Sequence, residues 1–149
     1  MTSLFDLETN RELSERLLKL KPDAQALWGK MTVSQMLKHA QGPFKVAFEE
    51  ITFNRGLVGI LFGGIARKKL SGPEPFSKNL PTAKVFIVKD NPDFEIEKAK
   101  LLNYIKQFSI RGPAGITLKP HPFFGAMNST EWDMLMYKHL DHHLRQFGA

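Results

Sequence analysis

The sequence predicts an all-α protein, a helical bundle in one domain that spans residues 1–149. Two observations support this prediction. Four segments combine a capping signal with apolar residues at helical spacing, and no long segment alternates apolar and polar residues as a half-buried strand does. Hydrophobic residues make up 42% of the chain and charged residues 24%, which is enough for a globular core.

The first two helices are predicted from capping boxes. Thr9–Glu12 has the T-x-x-E form, and a leucine-rich helix follows it until Pro22. Thr32–Gln35 opens the second helix in the same way. The apolar side of this helix consists of Val33, Met36, Leu37, Ala40, Phe44 and Ala47. Because Pro43 cannot donate a hydrogen bond to the carbonyl of His39, we expect a kink or break just after His39.

The middle of the chain is predicted to contain shorter pieces. Residues 55–70 are apolar and glycine-rich with a basic end, and we expect a short extra helical or loop element that covers one end of the core. Residues 71–92 contain four prolines and no long periodic pattern, so they read as a connection. Within it, residues 84–88 (KVFIV) favour a short extended piece.

The last two helices also begin at recognisable caps. Asn91 precedes Pro92 as an N-cap precedes a proline at the first helical position, and this helix should run to about Phe108. A loop rich in proline and glycine follows. Asn128–Glu131 then caps the final helix, which should stop at Gly148, a residue type favoured just beyond a helix C-terminus.

Composition restricts the classes of site and partner. The chain has no cysteine, so any metal must be held by nitrogen and oxygen ligands. The net charge is +6, but the basic residues are dispersed, and we do not expect a nucleic-acid partner. The N-terminal residues lack the pattern of a signal peptide, and the longest apolar run (56–66) is too short to span a bilayer. We therefore expect a cytoplasmic protein without a membrane partner.

Three of the five histidines lie within the final helix, in YKHLDHHLRQFG (137–148). At about 100° per residue, His139 and His143 fall near the centre of the apolar stripe and His142 at its flank. The remaining stripe residues are Trp132, Leu135, Met136, Gln146 and Phe147, and the residues that point to solvent are Lys138, Asp141 and Arg145. Two imidazoles four residues apart can reach one metal ion. Neutral buried histidines bonded to other protein groups are the alternative.

A third ligand must come from another segment, and His39 is the leading candidate. It lies at the border of the apolar side of the second helix, where a histidine is also often structural. His121, in a proline-flanked loop, is a candidate fourth ligand, a donor to a ligand, or an ordinary loop residue, and we favour the last two. The H-E-x-x-H and G-x-S-x-G motifs are absent. A mononuclear three-histidine site with open coordination positions fits what is left.

The segments 18–40, 121–132 and 137–148 resemble a subgroup of the DinB/YfiT-like metalloenzyme superfamily that is described only as a domain of unknown function. The resemblance covers the order and spacing of nearly the whole chain. It implies a four-helix bundle of DinB/YfiT-like type, with up-down-down-up connectivity. It also implies that His39, His139 and His143 bind one divalent metal ion.

The implied function is that of a metal-dependent enzyme, a thiol-dependent transferase or a hydrolase. Its partner would be a small-molecule substrate, with a low-molecular-weight thiol as the candidate. Zinc or nickel best suits three imidazoles, with iron or manganese as alternatives. Gln35, His142 and Gln146 are candidates to orient a ligand ring, and no carboxylate, Glu50 included, is well placed as a general base.

Two other hypotheses remain at this stage. One is a metal-binding or small-molecule-binding module without catalysis, forming a homodimer through an exposed helix face. The other is a bundle whose histidines are purely structural.

Overall fold

The computed structural model describes residues 2–54 and 56–149, and within these ranges it is helical. Its six α-helices are α1 (Leu7–Lys19), α2 (Val33–His39), α3 (Gly42–Ala47), α4 (Leu57–Leu70), α5 (Phe94–Arg111) and α6 (Ser129–Gln146). Two short 3₁₀ turns, Lys84–Phe86 and Pro113–Gly115, complete the described elements. These ranges contain no strand, only an isolated antiparallel bridge between His121 and Gly125. The all-α prediction is confirmed.

Helix α1 begins one turn earlier than its sequence predicts. The N-cap is Asp6, whose carboxylate accepts hydrogen bonds from the backbone N–H groups of Glu8 and Thr9. The predicted start at Thr9 is therefore wrong. Within this helix the buried amide of Asn10 donates to the carbonyls of Leu4 and Ile105. The bond to Ile105 attaches α1 to α5.

The expected break after His39 is confirmed. Helix α2 opens with the predicted capping box of Thr32 and Gln35 and ends at His39. Helix α3 begins at Gly42, with Pro43 in its first turn. The six residues predicted for the apolar side are all buried. The break leaves His39 as the last residue of α2. Because Pro43 has no N–H, the helix does not continue past the carbonyl of His39.

Helices α5 and α6 are the long elements on which the others pack. Helix α5 contacts α1 and α2, and α6 contacts α1, α3 and α4. The predicted N-cap at Asn91 is wrong, because Asp93 caps α5 by accepting from the backbone N–H of Ile96. The predicted capping box of α6 is present, and Gly148 has the expected positive φ just past its end. The core between these helices includes Leu13, Leu17, Met36, Leu37, Phe44, Leu101, Ile105, Phe108, Trp132, Met136 and Leu140.

The region between α3 and α5 departs most from expectation. Residues 57–70 of the predicted short element are a regular helix, whereas residue 55 lies outside the described residues. Residues 84–88 are not extended, because Lys84–Phe86 forms a 3₁₀ turn. Among the described residues no strand is available to pair with this segment. Phe86 and Val88 are half-buried, whereas Val85 and Ile87 are exposed. We call residues 71–92 the connecting segment.

A search of the described helices for a bilayer-spanning one finds none of sufficient length and apolarity.

Candidate metal centre

The ring of His39 is oriented by a backbone carbonyl of the connecting segment. His39 Nδ1 lies 3.0 Å from the carbonyl oxygen of Phe86. Because a carbonyl can only accept, Nδ1 carries the proton and donates it, which leaves the Nε2 lone pair free to accept. Gly42 permits this approach, since a Cβ at that position would lie 2.6 Å from the Phe86 ring. The break after His39 and the missing side chain at Gly42 together let the connecting segment reach the His39 ring.

The ring of His143 is oriented by a side-chain amide. Gln146 Nε2 donates to the carbonyl oxygen of Trp28 at 2.7 Å, which turns Oε1 of the same amide toward His143. His143 Nδ1 lies 2.8 Å from that oxygen and donates to it. Its Nε2 is then the atom with a free lone pair. His39 and His143 are thus held in the same tautomer, each by a different acceptor.

The three predicted histidines come together. His139 Nε2 lies 3.2 Å from His39 Nε2, across 100 residues of sequence. One ligand atom from each of His39, His139 and His143 can be chosen so that all three lie within 4.8 Å of one another. Two nitrogens bound to one tetrahedral zinc ion are about 3.4 Å apart, given bond lengths of about 2.0–2.1 Å. The donor set therefore fits one divalent metal ion.

The environment keeps these imidazoles neutral. Burial, and after it the neighbouring His39, lower the pKa of His143 to about 3. Burial likewise lowers the pKa of His39, although its bond to the Phe86 carbonyl acts in the opposite direction. The pKa of His139 is well below its ordinary value, first through burial and then through His143 and His39. Near pH 7 all three are uncharged, which is the form that ligates metals.

The other predicted candidates lie outside the cluster. His121 is buried, and its Nδ1 accepts from the backbone N–H groups of Phe123 and Phe124, which makes it a structural residue of its loop. Gln35 bonds Thr32 and the carbonyl of Asp90 and orients no histidine ring. His142 packs edge-on against Trp28, with ring centroids 5.4 Å apart. Of the three orienting candidates, only Gln146 contacts a histidine of the cluster by a hydrogen bond among the described residues.

Two other expectations concern charged side chains. Lys138 does not face solvent as predicted, because its ammonium group donates to the carbonyls of Leu70, Gly72 and Glu74. Lys138 precedes His139 in α6 and so fixes the start of the connecting segment beside the cluster. Glu50 contacts the hydroxyl of Tyr104, away from the histidines.

The carbonyls of Phe86 and Trp28, which help to orient the histidine rings, had no sequence signal, because any residue type carries a backbone carbonyl.

Comparison with known protein families matches residues 8–149 to the family described as "Protein of unknown function (DUF1569)". The chain belongs to this family. All three histidines of the cluster lie within the matched residues, which cover nearly the whole chain. Comparisons with curated proteins and with solved structures gave no match. The description of this family names no function, so only the geometry of the site bears on its chemistry.

Replacing Gln146 by leucine should weaken metal binding in this DUF1569 protein. The variant Gln146→Leu keeps the buried volume but removes both hydrogen bonds, so that the Nδ1–H of His143 and the carbonyl of Trp28 lose their partner. Loss of a partner that orients a ligand typically costs 10-fold to 100-fold in affinity, and we expect a decrease of about that size. Competition with a chromophoric chelator measures it.

The matched control is Gln35→Leu, which removes a cap of α2 but no contact to the cluster. It should lower the free energy of unfolding by about 1 kcal/mol and leave metal affinity unchanged. Equal affinities for Gln146→Leu and wild type would show that Gln146 does not position His143.

Proposed function

We propose that this protein is a divalent-metal-dependent enzyme whose metal is bound by His39, His139 and His143. The observation behind the proposal is the convergence of three neutral imidazoles from two helices, two of them held by Nδ1–H bonds so that Nε2 faces the cluster. Such orienting bonds are typical of metal-ligating histidines.

The residues around the cluster have separable tasks. The two α6 histidines supply adjacent nitrogens from one helix face, and His39 supplies the third from across the core. The carbonyl of Phe86 and the amide of Gln146 hold the protons on Nδ1. When bound, a divalent ion would act as a Lewis acid. It would lower the pKa of a water molecule or a thiol enough for it to lose its proton near neutral pH.

The surroundings favour group transfer to a thiol over hydrolysis. The cluster contains only histidines, and within the described residues no carboxylate joins it as a general base. A thiol has a pKa of about 8.5 and needs little help to ionise beside a cation, whereas water needs much more. We therefore propose a thiol-dependent transferase, with a low-molecular-weight thiol as one partner and a small electrophilic molecule as the other. A metal-dependent hydrolase is the second reaction class.

The fold supports the same proposal at a finer level. Helices α1, α5 and α6 and the broken pair α2–α3 are the elements that a four-helix bundle of DinB/YfiT-like type requires, and α4 is the extra element. We propose that DUF1569 belongs to that superfamily on the basis of this order and of the histidine spacing. Zinc or nickel is the proposed ion. The cytoplasmic location and the absence of nucleic-acid and membrane partners stay predictions.

One observation favours a non-catalytic alternative, a metal-binding module. His39 is 8% exposed and His143 is 7% exposed, so little of the cluster is open to solvent. Structural metal sites are closed, whereas catalytic sites keep an open position. The two functions differ in turnover and not in metal content.

Metal analysis of protein purified without a histidine tag tests the shared part of both proposals. Wild type should contain about one equivalent of divalent metal, or take it up on incubation with zinc or nickel. His143→Ala should contain none, because two imidazoles are left. His142→Ala is the matched control, since His142 is the adjacent residue of α6 outside the cluster, and it should retain the metal. A wild type without metal after both incubations would contradict the enzyme and the module alike.

Turnover then separates the enzyme from the module. Thiol transfer to a chromogenic electrophile, and hydrolysis of simple esters, should be measured with wild type and His143→Ala. Turnover that is lost in His143→Ala supports the enzyme. Metal binding with equal rates in both proteins supports the module.

A further inference from the structure

Helix α4 exposes most of its large apolar side chains and packs two of its glycines inward. Six large apolar side chains are more than half exposed: Leu57 (77%), Val58 (63%), Ile60 (56%), Leu61 (68%), Phe62 (55%) and Ile65 (66%). Gly59, Gly63 and Leu70 are the buried residues of the same helix. An exposed apolar patch of this size, on the order of 600 Å², marks an interaction site on a soluble protein.

Packing explains why α4 cannot turn this face inward. A Cβ at Gly59 would lie 2.9 Å from the carbonyl oxygen of Pro122 and 3.0 Å from Cα of Phe123. The helix therefore approaches the loop before α6 closely through its glycine side. At its end, Arg67 bonds Glu131 and the carbonyl of Ala126, which fixes the rotation of the helix. The apolar face is held outward by these contacts.

Gly64 indicates what covers this face. It is exposed in the middle of α4, and a Cβ built on it would meet nothing within 4 Å. Glycine in a helix interior costs about 1 kcal/mol relative to alanine, and no contact with the described residues requires it here. A residue without a side chain on an apolar helix face allows the backbone of another helix to approach closely.

We infer that the face of α4 binds the same face of a second copy of this chain, in an antiparallel homodimer that crosses near Leu61 and Gly64. The exposed patch, on the order of 600 Å², is somewhat smaller than the roughly 800 Å² that each partner buries in a standard interface. Helix α4 would therefore supply most of the interface. A twofold axis through the helix makes the surface self-complementary. A lipid surface is the other possible occupant of an apolar face, but it has no helix backbone that the missing side chain of Gly64 would let approach.

Charge selects the antiparallel orientation. Residues 57–70 contain no acidic side chain, and Lys68 and Lys69 are exposed in the last turn. A parallel pair would place four lysines together and align two helix dipoles in the same direction. In an antiparallel pair the two lysine groups lie about 18 Å apart at 1.5 Å per residue, beyond the screening length of about 8 Å. The dimer does not involve the histidine cluster and stands or falls independently of the proposed metal chemistry.

Sedimentation velocity of the full chain tests the inference. Wild type should be a dimer at micromolar concentration, and Ile65→Glu should raise the dimer dissociation constant about 100-fold, because a carboxylate would be buried without a partner. The matched control is Ile110→Glu, since Ile110 is 63% exposed on α5 and Ile65 is 66% exposed. This control should remain a dimer. Gly64→Leu should weaken the dimer about tenfold by blocking the close approach.

A cysteine-free chain permits a test of orientation by single cysteines. Under mild oxidation Leu61→Cys should form a disulfide-linked dimer, whereas Leu57→Cys should not, because its two copies would be about 16 Å apart and a disulfide needs Cα atoms within about 7 Å. A monomeric wild type, or an unchanged dimer in Ile65→Glu, would overturn the inference. Wild-type monomers that co-sediment with anionic vesicles, more strongly in Gly64→Leu, would assign the face to lipid instead.

Discussion

Removal of the metal by a chelator should lower the free energy of unfolding of the wild type by about 4 kcal/mol, for free metal that had been 1,000 times its dissociation constant. The reason is that the complete ligand set exists only in the folded chain. His39 and His139 are 100 residues apart in sequence and 3.2 Å apart at their Nε2 atoms. In the unfolded chain only His139 and His143 stay close, through their short separation in sequence, so the metal binds the folded state almost exclusively.

Urea unfolding with and without chelator measures this difference. His139→Ala should unfold at the same urea concentration in both conditions, because it lacks a ligand. His121→Ala is the informative control, since it replaces a buried histidine outside the cluster. It should be less stable than wild type but should keep the full effect of the metal. Identical wild-type curves with and without chelator would contradict a metal centre at these residues.

Local signals predicted the helices well where nothing competed with them. Thr32 and Asn128 cap α2 and α6 as expected, because each is followed three residues later by Gln35 or Glu131, which completes a reciprocal pair of bonds. The predictions failed where two caps lay close together. Asp6 caps α1 in place of Thr9, because its carboxylate accepts from the backbone N–H groups of Glu8 and Thr9.

The convergence of the three histidines was predictable, but the groups that orient their rings were only partly so. Periodicity alone gave His139 and His143, since a buried polar pair in an apolar stripe needs an explanation. The resemblance was needed for His39. Gln146 was found because it lies on the same helix face as His143. The carbonyl of Phe86 could not be found, because its position depends on the path of the whole connecting segment.

The sequence also could not predict that the apolar face of α4 points outward. Residues 57–70 are apolar throughout except at their end, and such a segment reads as buried by composition. What turns its large side chains outward is the close contact of Gly59 with Pro122, more than 60 residues later. Sequence spacing cannot reveal which side of a helix another segment approaches.

The largest loss of stability from a single substitution away from the cluster should come from Phe108→Ala. Phe108 is fully buried, stacks on Phe5 with ring centroids 4.5 Å apart, and meets Phe44 edge-on at 5.7 Å. It thereby joins the N-terminal segment, α3 and α5. Truncation of a buried phenylalanine costs about 3–5 kcal/mol, a large part of the roughly 10 kcal/mol expected for a domain of this size.

Urea unfolding of Phe108→Ala at a fixed metal concentration checks this value, and Ile110→Ala is its control. Ile110 lies two residues further along α5 and is 63% exposed, so its truncation should change stability by less than about 0.5 kcal/mol. Phe108→Ala should still bind one equivalent of metal when folded, because no histidine of the cluster makes a ring contact with Phe108 among the described residues. His139→Ala should show the opposite pattern, with the metal lost and the aromatic core retained. If folded Phe108→Ala also lost its metal, the core and the cluster would form one cooperative unit, and the position of His39 at the end of α2 would depend on the packing of Phe44 in α3.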